Sequence, residues 1–493
     1  MGAMLTSTLC AKNPRRVVFA AVVITCILLL AAFPVDIAKG FVKVPDDHRL
    51  AAEQQGFTPS QHHAMGIESE DYRVLTSTRN SLGLYNTINV KKTGYKIMNP
   101  TLLELPRGSR HDFLVIARAP HVDKEINGTK YRLARQVAMF ANLTYNRAHR
   151  PELTAGKWAK LLVQDFSKPD HHCKHQPDMD KYIGPEDMKL FWTRKGAPLL
   201  IFTHQVDDEN LCEGMFLIDA RAAVPELVEA LGDHARQIAP IQFDEPTGLR
   251  RRAPPGHEAD ARYQREKNWA PIQSPFSDDD DELFFMVEPS RMFRYASTDE
   301  PVEEMAIERE SAVEPTEEDD TDEIWHSREM TCVHDVMMTD KHVHQSTPML
   351  SLTLCDRDTC EPHEGNTVML GMVQRRYDPP GYPFTWYDRR MAVYAATPPY
   401  NMLSVSKKLT YHGEADGKYI WTGSMVYFVN RTDIPYNRNH GFLDDEVWLS
   451  FGIGDSAPGW LDIRAKDLVQ DHHHCQGALG RYRRSITENL AAL

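Results

Sequence analysis

Gly184-Pro185-Glu186-Asp187-Met188-Lys189-Leu190-Phe191 runs straight into Trp192-Thr193-Arg194-Lys195-Gly196 and the apolar stretch Ala197-Pro198-Leu199-Leu200-Ile201-Phe202-Thr203. The passage reads as a strand with two carboxylates at its start, a glycine turn, and a second strand. Short apolar runs of the same kind recur outward from it, at 113–117, 199–202, 216–218, 283–287, 349–354, 368–373, 391–395, 419–429 and 447–453. Polar turns rich in Gly, Pro, Asp or Asn separate them. Many short strands at such spacing predict an all-β sandwich, barrel or propeller. Helical patterning is scarce. The stretch 130–141 is short and fits either helix or strand, whereas 222–231 (AAVPELVEAL) predicts a helix between strand groups.

The 493 residues suffice for one large core or two ordinary ones. The net charge of −14 is local, because residues 299–323 hold 13 acidic side chains against one Arg. The remainder is close to neutral, so a nucleic-acid partner is not expected. Residues 17–33 (VVFAAVVITCILLLAAF) carry no charge and follow Lys12, Arg15 and Arg16. At about 1.5 Å per residue they form a short membrane span, and thin early-secretory membranes accept that length. Flanking positive charge predicts a cytosolic N-terminus and a luminal body. A retained signal-anchor is the favoured reading over a cleaved signal peptide. Beyond Cys10 and Cys26 the chain has Cys173, Cys212, Cys332, Cys355, Cys360 and Cys475. Their even number permits three disulfides. The Cys355–Cys360 pair closes a small loop, and Cys173–Cys475 is the preferred long-range pair. Three sequons, at Asn127, Asn142 and Asn430, fit the same compartment.

The expected organisation is a cytosolic tail at 1–16, a transmembrane anchor at 17–34, a stem at 35–72, one β domain at 73–478 and a tail at 479–493. The β domain carries a Pro/Arg-rich insertion at 244–264 and an acidic, aromatic-poor insertion at 295–330.

Chemistry-bearing residues fall in a fixed order: Asn99-Pro100, Arg118, Glu186-Asp187, Lys267-Asn268-Trp269, and late in the chain Asp444-Asp445-Glu446 and Gly452-Ile453-Gly454-Asp455. The Glu186-Asp187 segment resembles the Gly-x-Glu-Asp-Pro-Arg-Leu motif of five-bladed β-propeller mannoside phosphorylases and β-mannosidases. Over roughly 90–465 the pattern is also similar to fungal β-1,2-mannosyltransferases, through Glu266-Lys267-Asn268-Trp269, His344-Gln345-Ser346-Thr347-Pro348 and 444–452. The motif's Pro-Arg is replaced by Met188-Lys189, which removes a forked donor suited to phosphate.

The resemblance implies a five-bladed β-propeller behind the anchor, and an inverting β-mannosyltransferase in the Golgi or endoplasmic reticulum. It would extend cell-wall or glycoprotein glycans from GDP-mannose or another nucleotide sugar. Asp187 would move the proton, with Glu186 and Asp455 as further catalytic carboxylates. Asn99, Arg118, Asn268 and Asp445 would bind sugar. Lys267, His344, Arg375 and Arg376 would offset diphosphate charge. Two alternatives stay open: a luminal glycoside hydrolase or phosphorylase acting on β-mannosides, and a non-catalytic glycan-binding propeller. A hydrolase needs a second carboxylate to activate water, for which Asp455 or Asp445 is available. A divalent metal is possible through Asp356-Arg357-Asp358, although that motif sits in the small cysteine loop. Trp192, Trp269, Trp386 and Trp460 are expected mainly in the core. No phosphate-binding glycine loop or Gly-x-Ser-x-Gly elbow is evident.

Overall fold

The computed structural model describes residues 72–90, 96–165, 173–174, 176–208, 211–251, 265–277, 282–289, 291–295, 302–304, 343–377, 386–414, 419–429 and 437–475. All belong to the compact unit 59–493; the unit 1–58 lies outside the described residues. So do the expected anchor, the stem up to residue 71, most of both insertions and the tail from 479. No helix among the described residues is long and apolar enough to cross a membrane.

The architecture is nearly all β. Two short strands come first, β1 (Tyr72–Leu75) and β2 (Asn86–Asn89). A first antiparallel group follows: β3 (Met98–Glu104), β4 (Phe113–Ile126), β5 (Thr129–Tyr145) and β6 (Pro151–Ala159). Asn127-Gly128 turns β4 into β5 with both residues left-handed (φ 50° and 79°), the conformation that tight hairpins require. Strand β7 (Tyr182–Ile183) runs parallel beside β5.

The second group is β8 (Glu186–Trp192), β9 (Pro198–Asp208), β10 (Leu211–Asp219) and β11 (Thr247–Leu249). Gly196 (φ 82°) makes the β8–β9 turn. Helices α1 (Ala220–Ala223) and α2 (Glu226–Leu231) lie between β10 and β11, where the Asp219 side chain caps the first turn. The third group is β12 (Ala270–Ile272), β13 (Phe284–Glu288), β14 (Arg291–Arg294) and β15 (Glu303–Glu304).

The fourth group contains β16 (Val343–Gln345), β17 (Leu350–Thr353), β18 (Thr367–Tyr377), β19 (Trp386–Ala395), β20 (Met402–Ser406) and β21 (Lys408–Tyr411). In the fifth, β22 (Ile420–Tyr427) pairs with β24 (Glu446–Ile453) and β24 with β25 (Ala457–Arg464). Strands β23 (His440–Phe442) and β26 (His472–His474) add to the fourth group's sheet. The nine apolar runs of the sequence all fall on these strands, and 130–141 belongs to strand β5.

The start of the described chain ties its end. β1 lies parallel to β21, and β2 bridges β25 of the fifth group to β6 of the first. The core follows the same circuit. Alternate residues of a strand face opposite sides of its sheet, so each group contributes to two clusters. Leu103 and Ile116 of the first group pack with Leu190 and Phe202 of the second. Phe191 and Ile201 pack with Trp269 and Phe285 of the third. Met286 and Met292 meet Met369 and Tyr394 of the fourth. Leu370 and Val393 meet Leu449 and Phe451 of the fifth. Trp448 and Trp460 return to Leu102 and Val115 of the first. Each large buried side chain contributes about 1.5–3 kcal/mol by leaving water. Trp192, Trp269 and Trp460 are core, as expected.

The disulfides correct one expectation. Cys355–Cys360 closes its small loop, but Cys173 pairs with Cys212 and not with Cys475, which is bonded elsewhere. Cys173 and Cys212 bring their Cα atoms to 4.9 Å, pinning the segment ahead of β7 to the start of β10.

Candidate active site

Four polar side chains singled out in the sequence share an unusual backbone state. Asn99, Asp187, Asn268 and Asp455 have φ of 47°, 50°, 62° and 43°. Asn and Asp tolerate this left-handed region better than other side chains, and such residues gather at functional positions. Asn99 and Asp187 sit at the starts of β3 and β8, Asn268 two residues before β12, and Asp455 in the β24–β25 turn. The register slips between Met98 and Thr101 and between Glu186 and Lys189, so each strand bulges where its polar residue turns away from the ladder.

These elements meet at one end of the strands. Arg118 on β4 stands opposite Met98 in register, beside the start of β3. Its guanidinium donates to Glu186 Oε1 at 3.2 Å and lies 2.7 Å from His121 Nε2. Lys267 Nζ reaches Glu186 Oε2 at 3.4 Å and Glu213 Oε2 at 3.5 Å. Arg265 Nε donates to the same Glu213 oxygen at 2.7 Å. Lys267 is positioned from below by the buried Glu266, which accepts from Arg251 at 2.7 Å and from Trp269 Nε1 at 3.1 Å. Burial alone would raise the Glu186 carboxyl. The hydrogen bond from His121 and the charges of Lys267 and Arg118 outweigh it and hold that carboxyl well below the usual range. Burial alone would lower the Lys267 ammonium, but Asp187, Glu213 and Glu186 raise it above its ordinary value.

Asp187 differs from its neighbour. Both Glu186 oxygens are committed to cations, whereas no hydrogen bond or ion pair among the described residues engages Asp187. Beneath it on β8 lies Lys189, 2% exposed, whose buried Nζ has no hydrogen-bond partner among the described residues. Burial pushes that ammonium down to about 8, against the opposing charge of Asp187.

Across the same end, Asn99 Nδ2 donates to Asp455 Oδ1 at 3.2 Å, and the Tyr419 hydroxyl donates to Asp455 Oδ2 at 2.5 Å. Gly452 makes this possible: a Cβ there would lie 1.6 Å from Asn99 Oδ1. Asp455 itself is exposed to solvent.

Other expected residues are placed as follows. His344 on β16 and Arg375 and Arg376 on β18 belong to the fourth group, with Val343 opposite Arg375 in register. Asp445 stands apart. It precedes β24 while Asp455 follows it, and eight strand residues at about 3.3 Å each separate the two. Its carboxylate forks onto Arg357 Nε and Nη2 and accepts from the Phe442 amide at 2.7 Å. Asp445 thus pins the Cys355–Cys360 loop through Arg357, at the other end of β24 from Asp455. Arg357 is likewise consumed there, between the two Asp residues once considered for a metal. No cluster of three or more His, Cys, Asp or Glu able to hold a metal occurs among the described residues. Asp445→Ala strands a largely buried guanidinium and is expected to cost about 3 kcal/mol or more of stability. A lowered melting temperature with unchanged turnover per folded molecule would confirm the assignment. Unchanged stability would refute it.

His121, Glu213, Lys189 and Tyr419 had not been singled out as site residues. His121 is three residues beyond Arg118, and Tyr419 immediately precedes β22; neither position carries a distinguishing motif.

No protein family and no curated protein matches the chain by sequence. Solved structures match at low identity. A protein assigned as a glycosidase from Bacteroides thetaiotaomicron is 11% identical with a TM-score of 0.37, over 82% of this chain and 98% of that one. A Cellvibrio cellulosa α-L-arabinanase complexed with arabinohexaose is 8% identical with a TM-score of 0.33, over 75% and 91%. A β-1,2-mannobiose phosphorylase from Listeria innocua is 8% identical with a TM-score of 0.32, over 78% and 92%. The expected nucleotide-sugar transferase is not among these structures, which are named as a glycosidase, an arabinanase and a phosphorylase. Lys267, expected to offset diphosphate charge, is paired with Glu186 and Glu213.

Proposed function

We propose that the chain is a glycoside hydrolase, and that its five strand groups are the blades of a five-bladed β-propeller with the site at the end where Asn99, Asp187, Asn268 and Asp455 converge. The observation that carries this reading is the carboxylate of Asp187, which makes no hydrogen bond or ion pair among the described residues and meets Lys267 and Lys189 through charge alone, while the side chains around it are bonded to one another. Asp187 gives its proton to the glycosidic oxygen as the bond to the anomeric carbon breaks. Water attacks that carbon from the opposite face and passes its proton to Asp455. The Asp455 oxygens accept one hydrogen bond each from Asn99 and Tyr419, and a carboxylate has about four lone-pair directions, so capacity for a water remains. One displacement of this kind inverts the anomeric centre. Glu186 stays ionised and fixes Arg118 and Lys267 around the sugar.

β-Mannosides are the first substrates to test, on the strength of the sequence resemblance. Full-length protein is incubated with β-linked mannobiose, with and without inorganic phosphate, and products are followed by proton NMR. Release of mannose without phosphate, with inverted anomer first, is expected. A strict phosphate requirement overturns the water reading. No cleavage of any glycoside in a broad panel overturns the enzymatic one.

A further inference from the structure

Large aromatic side chains in this molecule are mostly sealed in the core: Trp269, Trp448, Trp460, Tyr394, Tyr400 and Tyr411 are all 0–2% exposed. Tyr387, Tyr419 and Trp421 are among those that are not. Each is only half-buried, and the three form one cluster. The Tyr387 ring meets Trp421 at 4.8 Å and 66°, and Tyr419 at 5.6 Å and 63°. Tyr387 comes from β19 of the fourth group, while Tyr419 and Trp421 lie at the start of β22 in the fifth. The cluster therefore spans a junction between groups at the same end as the site. It is tied to the site directly, since the Tyr419 hydroxyl donates to the Asp455 carboxylate that also receives Asn99. Burial and Asp455 together raise the Tyr419 phenol well above its ordinary range, so it stays protonated as that donor.

Space lies beside the indole. Gly423, two residues on from Trp421 at a bulge, is partly exposed, and among the described residues a Cβ there would meet Trp421 Nε1 alone, at 3.8 Å. Its φ is outside the left-handed region, so the backbone does not itself demand glycine.

We propose that Tyr387, Tyr419 and Trp421 form an angled shelf for a pyranose ring, a subsite that holds a second sugar unit beside the glycosidic bond that Asp187 protonates. The ligand class is an oligosaccharide with an exposed C–H face, stacked on electron-rich aromatic faces, with hydroxyls reaching the polar edge formed by Asp455 and Asn99. The subsite rests on the glycoside reading above and deepens it: the substrate is a chain, and length is sensed at the fourth and fifth groups while the proton is delivered from the second.

The test separates the two. Binding of β-linked manno-oligosaccharides of two to six units is measured by calorimetry on full-length Asp187→Asn protein, which holds substrate without turning it over. Affinity is expected to rise with length. Adding Trp421→Ala is expected to remove about tenfold of the affinity for the longer ligands, and Trp421→Phe to restore part of it. Gly423→Leu, which fills the space beside the indole, is expected to flatten the length dependence too. If Trp421→Ala weakens all lengths equally, or leaves the length dependence intact, the shelf is overturned. If that dependence disappears as stated while Asp187→Asn still cleaves glycosides at the wild-type rate, the shelf stands and the role of Asp187 falls.

Discussion

Asp187→Asn is expected to reduce glycoside cleavage by about 10²–10⁴-fold, the usual contribution of a positioned proton donor, while the fold and ligand binding persist. The substitution keeps the shape of the side chain and removes only its acidity. Asn accepts the left-handed backbone that Asp187 occupies at φ 50°. No hydrogen bond among the described residues is lost, but the charge that supports the buried Lys267 and Lys189 ammoniums is, so rates are compared per folded molecule. Glu186→Gln is the informative contrast. It removes the carboxylate charge shared by Arg118 and Lys267 and leaves Lys267 with Glu213 alone among the described residues, so melting temperature, binding and rate all fall together. Steady-state kinetics and thermal melts on the two variants decide the matter. A fall in rate per folded molecule with binding retained marks Asp187 as the proton donor. A rate within a few-fold of wild type removes it from the mechanism.

Much of the β architecture was legible because apolar runs of strand length bounded by turn residues leave little choice of secondary structure. The stretch 130–141 was ambiguous for a physical reason. Its alternation is broken by a register shift between Met139 and Ala141, and the Asn127-Gly128 hairpin turn that decides the matter lies outside it. Asp445 and Asp455 look alike in sequence, each an acidic residue in a turn flanking the same strand. Only the strand's length puts them at opposite ends. The partner of Cys173 depended on how the segment before β7 meets β10, a non-local contact that no spacing encodes. The shelf aromatics were hidden for a different reason. Half-exposed and fully buried aromatic residues on strands share the same pattern, and exposure follows only from how neighbouring groups pack.

Lys189→Met is expected to raise the melting temperature near neutral pH and to lower activity, a combination typical of a residue kept for function against stability. The ammonium is buried without a hydrogen-bond partner among the described residues, and burial lowers it from 10.5 to about 8. The folded value lies below the unfolded one, so between about pH 8 and 10.5 the unfolded chain binds more protons and stability rises with pH. Below that window the cost is fully present, at about 3 kcal/mol for a shift of this size. Met has a similar length and no charge, so the variant escapes the cost without opening a cavity. The bulge between Glu186 and Lys189 turns Asp187 out of the ladder and leaves Lys189 inside, where the charge of Asp187 offsets part of the cost of its burial. Melting temperatures from pH 6 to 10.5 and a pH–rate profile check the argument. The wild type should gain stability through the upper window and Lys189→Met should not. A variant that is less stable at pH 7, or that keeps the wild-type pH dependence, would show that Lys189 is accommodated rather than tolerated and that its charge is not coupled to the site.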